Sequence, residues 1–263
     1  MAGNMTGVSE RTVAINGQNC RIWEKGKGEP VFYLAGFGGL PRWTPFLDRL
    51  AGHRRVVAPS LPGFPGSIGH EELDSLIDWV AATLDLLDAC GLDGGDLIGA
   101  SVGGELAAEV AAMSSRSVRR LALIAPLGLY DPSAKPADLW AQTPVTQPAL
   151  LCADPETYKA HIAPPEGADP SEWSILMTRA NEAAARLLWP LTDTRLARRL
   201  HRIRAETLVI WGAEDKVVPP SYAQRFAEEI AGKTRVQLIP GAGHLADLDA
   251  PGPVAEAVLA AFA

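Results

Sequence analysis

The chain has 263 residues, 24 Lys+Arg against 31 Asp+Glu, a formal net charge of −7 and 47% hydrophobic residues. At roughly 150 residues per domain it is one large domain or two small ones, and its apolar content excludes a disordered chain. The acidic balance argues against nucleic acid or an anionic membrane as a partner, and no stretch reaches the ~18 apolar residues of a membrane span. Cys20, Cys90 and Cys152 are widely spaced and form no CxxC. That excludes a disulfide framework and a zinc knuckle, and a cytoplasmic, reduced setting is expected. The opening MAGNMTGVSERT has no apolar core, so no signal peptide is expected.

In chain order, Thr12–Ile15 and Cys20–Trp23 flank Asn16-Gly17, a hairpin signal. Val31–Ala35 and Val56–Ala58 are short apolar runs, the mark of strands buried on both faces. Leu73, Leu76, Ile77, Val80, Leu84 and Leu87 recur at spacings of three and four, which predicts a helix. Leu97–Ala100 reads as a strand, then Leu106, Val110 and Met113 as a helix, then Leu121–Ala125 as another strand. Leu208–Trp211 and Val236–Ile239 read as further buried strands, each with a helical pattern after it: Tyr222, Phe226 and Ile230, then Val254, Val258 and Phe262. Strands alternating with helices predict an α/β fold, a mostly parallel central sheet with helices on both faces.

One region breaks the alternation. Pro126 to Pro170 holds nine prolines and no clear strand, and helical patterns resume at Ser171–Leu188 and Arg195–Leu200. So long a structureless stretch is unusual in a compact domain. The expected division is a core of residues 1–127 and 201–263 with a helical cap inserted at 128–200, packed over one edge of the sheet.

Gly99-Ala100-Ser101-Val102-Gly103 fits G-x-S-x-G, with a strand run before it and a helix after it. A serine on such a turn is exposed at the carboxyl end of the sheet. The Val102 amide, at a helix N-terminus, is free to bind an oxyanion. A serine hydroxyl needs a base, and the base an orienting carboxylate. Of five histidines, His244 directly follows the last strand run, whereas His53, His70, His161 and His201 read as solvated surface. Asp215, after LVIW, is the preferred carboxylate, with Glu214 beside it and Asp131 after LALIA as rivals. Asp247 and Asp249 read as helix-start residues too near His244 in sequence to reach its ring. The order Ser101, Asp215, His244 places all three after strands, where open parallel sheets bind ligands.

With LAGFGG at 34–39, LPGFPGS at 61–67, GASVGG at 99–104, LVIWGAEDKVVPP at 208–220 and IPGAGHLADLDAP at 239–251, the sequence resembles the α/β-hydrolase superfamily over nearly its whole length. It is similar to the cap-bearing subgroup of small esterases, cofactor-free haloperoxidase-like enzymes and meta-cleavage-product hydrolases. The resemblance implies Ser101 as nucleophile, His244 as base and Asp215 as orienting acid. It implies the Phe37 amide as the second oxyanion donor beside Val102, and no metal or organic cofactor. Two positions depart from the family. Ala35 stands where a histidine often precedes the oxyanion glycines, and Ser60 replaces an aspartate before LPG.

A carboxylesterase acting on a small to medium apolar acyl or aryl ester is the expected function. Serine at 101 disfavours haloalkane dehalogenases and epoxide hydrolases, which use aspartate. Leu245 stands where meta-cleavage hydrolases often carry an aromatic residue. C–C bond hydrolysis, lactonase or thioesterase activity, and a non-enzymatic receptor on the same fold are the alternatives. Gly36, Phe37, Val102, Leu127, Trp140 and Leu245 are expected near the substrate. Arg179 and Arg186, read as a solvated face, are the candidate cations for a substrate carboxylate. Leucines and tryptophans of the insertion allow a homodimer.

Overall fold

The structure, a computed structural model, describes residues 5–92, 94–191 and 193–263. The first four residues of the opening segment, and with them part of the signal-peptide reading, lie outside that range.

Strands β1 (Ser9–Ile15) and β2 (Gln18–Lys25) form the expected hairpin. Asn16 and Gly17 both take positive φ, as a tight two-residue turn requires. Then follow β3 (Pro30–Leu34), α1 (Pro45–Ala51), β4 (Arg55–Pro59), α2 (Leu76–Cys90), β5 (Gly95–Ala100), α3 (Ser101–Met113) and β6 (Val118–Ile124). The next eighty or so residues carry α4 (Pro148–Leu151), α5 (Pro155–Ile162), α6 (Pro170–Leu188) and α7 (Ala197–Leu200), with no strand among those described. The chain returns to the sheet with β7 (Glu206–Gly212), α8 (Ser221–Glu229), β8 (Thr234–Ile239), α9 (Ala246–Asp249) and α10 (Pro251–Ala261).

The eight strands lie in the order β1-β2-β4-β3-β5-β6-β7-β8. Pairings β1–β2 and β2–β4 are antiparallel and the rest are parallel. Side chains alternate across the sheet. Val31 and Tyr33 pack with Phe46 and Val254 on one face, whereas Phe32 and Leu34 pack with Trp79, Leu106 and Phe226 on the other. The mixed, mostly parallel sheet covered on both faces is the architecture the sequence predicts.

Two local readings are corrected. Val236–Ile239 is not buried on both faces: β8 is an edge strand, and Val236 and Leu238 are exposed. The helix predicted from Leu73 begins at Leu76, because Ser75 caps it in a reciprocal box with Asp78. Ile77 is then 68% exposed, and Trp79, Ala82 and Leu86 join the expected Val80 and Leu87 on the buried face. Among the described residues no helix is long and apolar enough to cross a membrane.

Candidate active site

β5 passes into α3 without an intervening loop, so Ser101 sits on the bend with φ of 49°. A non-glycine residue there is strained by about 1–3 kcal/mol, and packing must hold it. The two flanking glycines make the bend possible. A β-carbon on Gly99 would lie 2.4 Å from the Gly103 carbonyl oxygen, and one on Gly103 would lie 2.4 Å from that of Leu34. Val102 is the first residue after the bend, so its amide is among the unpaired donors of the helix N-terminus.

His244, in the β8–α9 loop, is fully buried beside it. Ser101 Oγ is 2.7 Å from His244 Nε2, and His244 Nδ1 is 2.9 Å from Asp215 Oδ2. A carboxylate only accepts, so Nδ1 carries the proton and Nε2 accepts from the serine hydroxyl. Asp215 is held in turn by its other oxygen, which accepts from the Val217 and Val218 amides at 2.8 and 3.0 Å. The rivals point elsewhere: Glu214 is exposed, and Asp131 closes a turn by accepting from the Ser133 amide and hydroxyl.

The histidine loop is pinned on two sides. Gly212 admits it, since a β-carbon there would lie 2.0 Å from the Gly243 carbonyl oxygen. Asp249 Oδ2 accepts from the Gly243 amide at 2.8 Å and from Ala153 of the insertion at 2.7 Å, and the Leu245 amide donates to Leu151 O at 2.8 Å. Both acids lie in the first turn of the short α9, as read from sequence, and each also holds a partner: Asp249 ties two loops together and Asp247 accepts from Tyr33 Oη at 2.8 Å. Burial raises the Asp247 carboxyl to about 6.

The loop after β3 faces Ser101 from the other side. A β-carbon on Gly36 would lie 3.2 Å from Ser101 Cβ and 2.9 Å from Leu245 Cδ2. Phe37 follows, buried, with its ring edge-on to Trp140 at a centroid distance of 6.0 Å. The absent histidine and aspartate of the family pattern are matched by other contacts. Arg21 Nη2 donates to Leu40 O at 2.6 Å, to Pro65 O at 2.9 Å and to Ser60 Oγ at 3.1 Å. From the insertion, His161 Nε2 lies 3.2 Å from Gly39 O.

A cavity of about 530 Å³ lies between this loop and the insertion. Its apolar lining includes Phe37, Leu139, Trp140, Tyr158, Trp173 and Met177. Its polar lining is neutral: Gln142, Thr143, Gln147, Ser174, Thr178 and Asn181. Among the described residues lining it there is no Lys, Arg, His, Asp or Glu. Ser101 is fully buried and is not in the lining; Phe37 and Gly38 stand at the boundary. Of the residues expected near substrate, Phe37 and Trp140 line the cavity. Gly36 adjoins both Ser101 and Leu245 outside that lining, and the Leu127 amide donates to Ser101 O at 3.3 Å. Arg186 pairs with Asp74 at 2.8 Å, and Arg179 borders a separate groove on the outer side of α6.

His53 and His201 are exposed, as read from sequence, but His70 and His161 are buried. Periodicity within one element cannot show what another element covers. His161 lies where α5 meets the β3–α1 loop, and His70 lies under α6, 3.4 Å from Glu182. A further residue unmarked in the sequence is Glu105, one turn along α3 from Ser101. It is fully buried, neither oxygen has a hydrogen-bond partner among the described residues, and burial raises its carboxyl to about 8.

The model of the alpha/beta hydrolase family matches residues 31–257. This chain belongs to that family. Over 98% of its length it is 30% identical to 70% of a dihydrolipoyllysine-residue acetyltransferase component of an acetoin cleaving system from Pseudomonas putida. It is 27% identical to a 2-hydroxy-6-oxo-2,4-heptadienoate hydrolase, also from Pseudomonas putida, over 91% of each chain. A meta-cleavage product hydrolase from Pseudomonas fluorescens IP01 shares the fold at a TM-score of 0.78, with 20% identity over 98% of both chains. In this hydrolase, as the fold requires, the serine, acid and histidine all stand after parallel strands at one edge of the sheet.

Proposed function

We propose that this protein is a serine hydrolase that cleaves carboxylic esters of uncharged, largely apolar substrates, with residues 128–200 as the lid over the site. Ser101 Oγ attacks the acyl carbonyl while His244 Nε2 takes its proton. His244 then gives that proton to the leaving alcohol. Water attacks the acyl-enzyme by the same route in reverse. Asp215 keeps the imidazole in the required tautomer and stabilises the imidazolium. The amides of Phe37 and Val102 receive the oxyanion, each donor being worth about 10²–10³ in turnover.

The observation that carries this reading is the buried Ser101–His244–Asp215 relay, with contacts of 2.7 and 2.9 Å, packed against a loop whose Phe37 and Gly38 line a neutral cavity. The cavity also separates the two reactions this chemistry could serve. The dienoate hydrolase named among the relatives takes a carboxylate, and a carboxylate entering a dry cavity needs a cation or several donors to replace its water. No cation lines this one among the described residues, and Arg179 and Arg186 face elsewhere. Ester hydrolysis is therefore preferred over C–C cleavage of an acid. Lactones and thioesters share the acyl chemistry and differ in shape alone.

The test is initial rates on p-nitrophenyl esters from acetyl to decanoyl, for the wild type and Ser101→Ala. Multiple turnover that disappears in the variant supports the reading, and the chain-length optimum sizes the cavity. Wild-type rates in Ser101→Ala would remove Ser101 from the mechanism.

A further inference from the structure

We propose that His161, carried by α5 of the insertion, is a positioning residue for the oxyanion loop, so that Ser101 reacts at full rate only while α5 is seated on residues 36–39. The inference deepens the hydrolase reading above and rests on it.

The loop needs an external hold. Gly38 and Gly39 take φ of 86° and 70°, left-handed conformations to which glycine is not confined. Within the loop a single backbone bond, Gly39 N to Gly36 O at 2.9 Å, closes the turn. The outward carbonyl of Gly39 is buried, and its partner is the ring of His161, 122 residues away, at 3.2 Å. His161 is itself buried, and burial lowers its pKa to about 4, so the ring is neutral at pH 7. A neutral imidazole facing a carbonyl must place its proton on the near nitrogen, so Nε2–H donates to Gly39 O.

The joint is reciprocal. Arg42, three residues past Gly39, donates from Nε to His161 O at 2.8 Å and from Nη2 to Ala163 O. One turn back on α5, Tyr158 presses on Gly38, where a β-carbon would lie 2.9 Å from its hydroxyl. Gly38, Gly39 and Arg42 are thus all held by one short stretch of the insertion. Phe37, whose amide is assigned to the oxyanion, precedes them. Without the His161 donor, Gly39 O is left buried and unpaired, and the two glycines are free to turn away and carry that amide with them. The loss falls on transition-state stabilisation. In the cavity wall Trp140 and Trp173 keep their own bonds, to Asn181 O at 3.3 Å and Ile162 O at 2.8 Å, which do not involve the His161 ring.

The experiment compares wild type with His161→Phe, which fills the space without a donor, and His161→Gln, which restores an uncharged N–H. Two rates are read: hydrolysis of p-nitrophenyl butyrate, and inactivation by diisopropyl fluorophosphate. In the second, Ser101 Oγ bonds to phosphorus, fluoride leaves and His244 takes the proton, so no knowledge of the natural substrate is needed. The expected result for the Phe variant is a kcat about 10–100-fold lower with KM within threefold, and inactivation slowed to a similar degree. The Gln variant should recover most of both. Arg42→Gln, on the other side of the joint, should repeat the kcat-limited loss, and it stands in if the Phe variant does not fold. Unchanged kcat and inactivation rates, or a loss confined to KM, or a Gln variant no better than Phe, would overturn the proposal. If wild type turns over no ester yet is inactivated at Ser101, the ester reading falls while the inactivation rates still decide the role of His161. If wild type is not inactivated either, both fall.

Discussion

The carboxyl edge of the sheet and the insertion meet at the β3–α1 loop and the His244 loop, but they are assembled in different ways. At the sheet edge each group stands on its own strand end, and Ser101 and Asp215 are fixed largely by near neighbours in sequence, while the His244 loop is also tied to the insertion. Ser101 is bent by Gly99 and Gly103, and Asp215 is held by the amides two and three residues on. Among its described residues the insertion has no strand, four helices, and contacts that reach more than ninety residues away, such as His161 to Gly39 and Ala153 to Asp249. Ser101 and Asp215 are thus placed by local sequence, whereas the insertion is joined to the sheet edge through distant pairs.

The sharpest test of this contrast is on the sheet side. Ser101→Ala should lower ester turnover by about 10⁴–10⁶-fold with the fold intact by circular dichroism, since members of such a relay act as a unit. On the insertion side the expected effects are graded. A neutral p-nitrophenyl butyrate should be preferred over p-nitrophenyl hydrogen succinate by about 100-fold in kcat/KM, because the acid must be desolvated without a counter-ion. Met177→Lys, adding a cation to the lining, should narrow that ratio through the acid's KM. A ratio that does not move would show that the acid never enters the cavity.

A smaller effect concerns stability rather than rate. Burial raises the Glu105 carboxyl to about 8, above its unfolded range. Its contribution is therefore fully present below about pH 4 and is lost as the pH rises to about 8. Glu105→Gln should unfold at a higher denaturant concentration than wild type at pH 8.5, by a few kcal/mol, and show little difference at pH 4. The smallest expected change is in Asp249→Asn. It exchanges a charged acceptor of two amides for a neutral one and should cost about 1–2 kcal/mol of stability, with a modest fall in kcat. A loss in kcat as large as that of Ser101→Ala would erase the distinction between the two regions.

This division also explains what could be read from the chain alone. The strand runs, the Ser101 bend and the order Ser101, Asp215, His244 are legible because each depends on residues within a few positions of it. The place of β8 at the edge was not, since a strand's neighbours are a property of the whole sheet. His161 and His70 read as surface because nothing in TYKAHI or GHEEL names the element that covers them. The one available hint was the spacing of Tyr158 and His161, which three residues apart share a helix face. The cavity's neutrality was legible only in part. Its tryptophans were visible, but that Arg179 borders a separate groove and Arg186 pairs with Asp74 is set by the seating of α6.

The ties from Leu151 and Ala153 to the histidine loop have a consequence for inheritance and engineering. Were the insertion an exchangeable cassette, one relative's could be grafted onto another's core at the ends of β6 and β7. Here a graft that replaced residues 148–163 would disturb the partners of the Leu245 amide and Gly39 and remove one of the two amides that donate to Asp249. The part free to drift toward new substrates is α6, which supplies Trp173, Met177 and Asn181 to the cavity and touches neither loop through a hydrogen bond among the described residues. New specificities in this lineage should accumulate there first, and chimeras should be cut between Pro164 and Pro170.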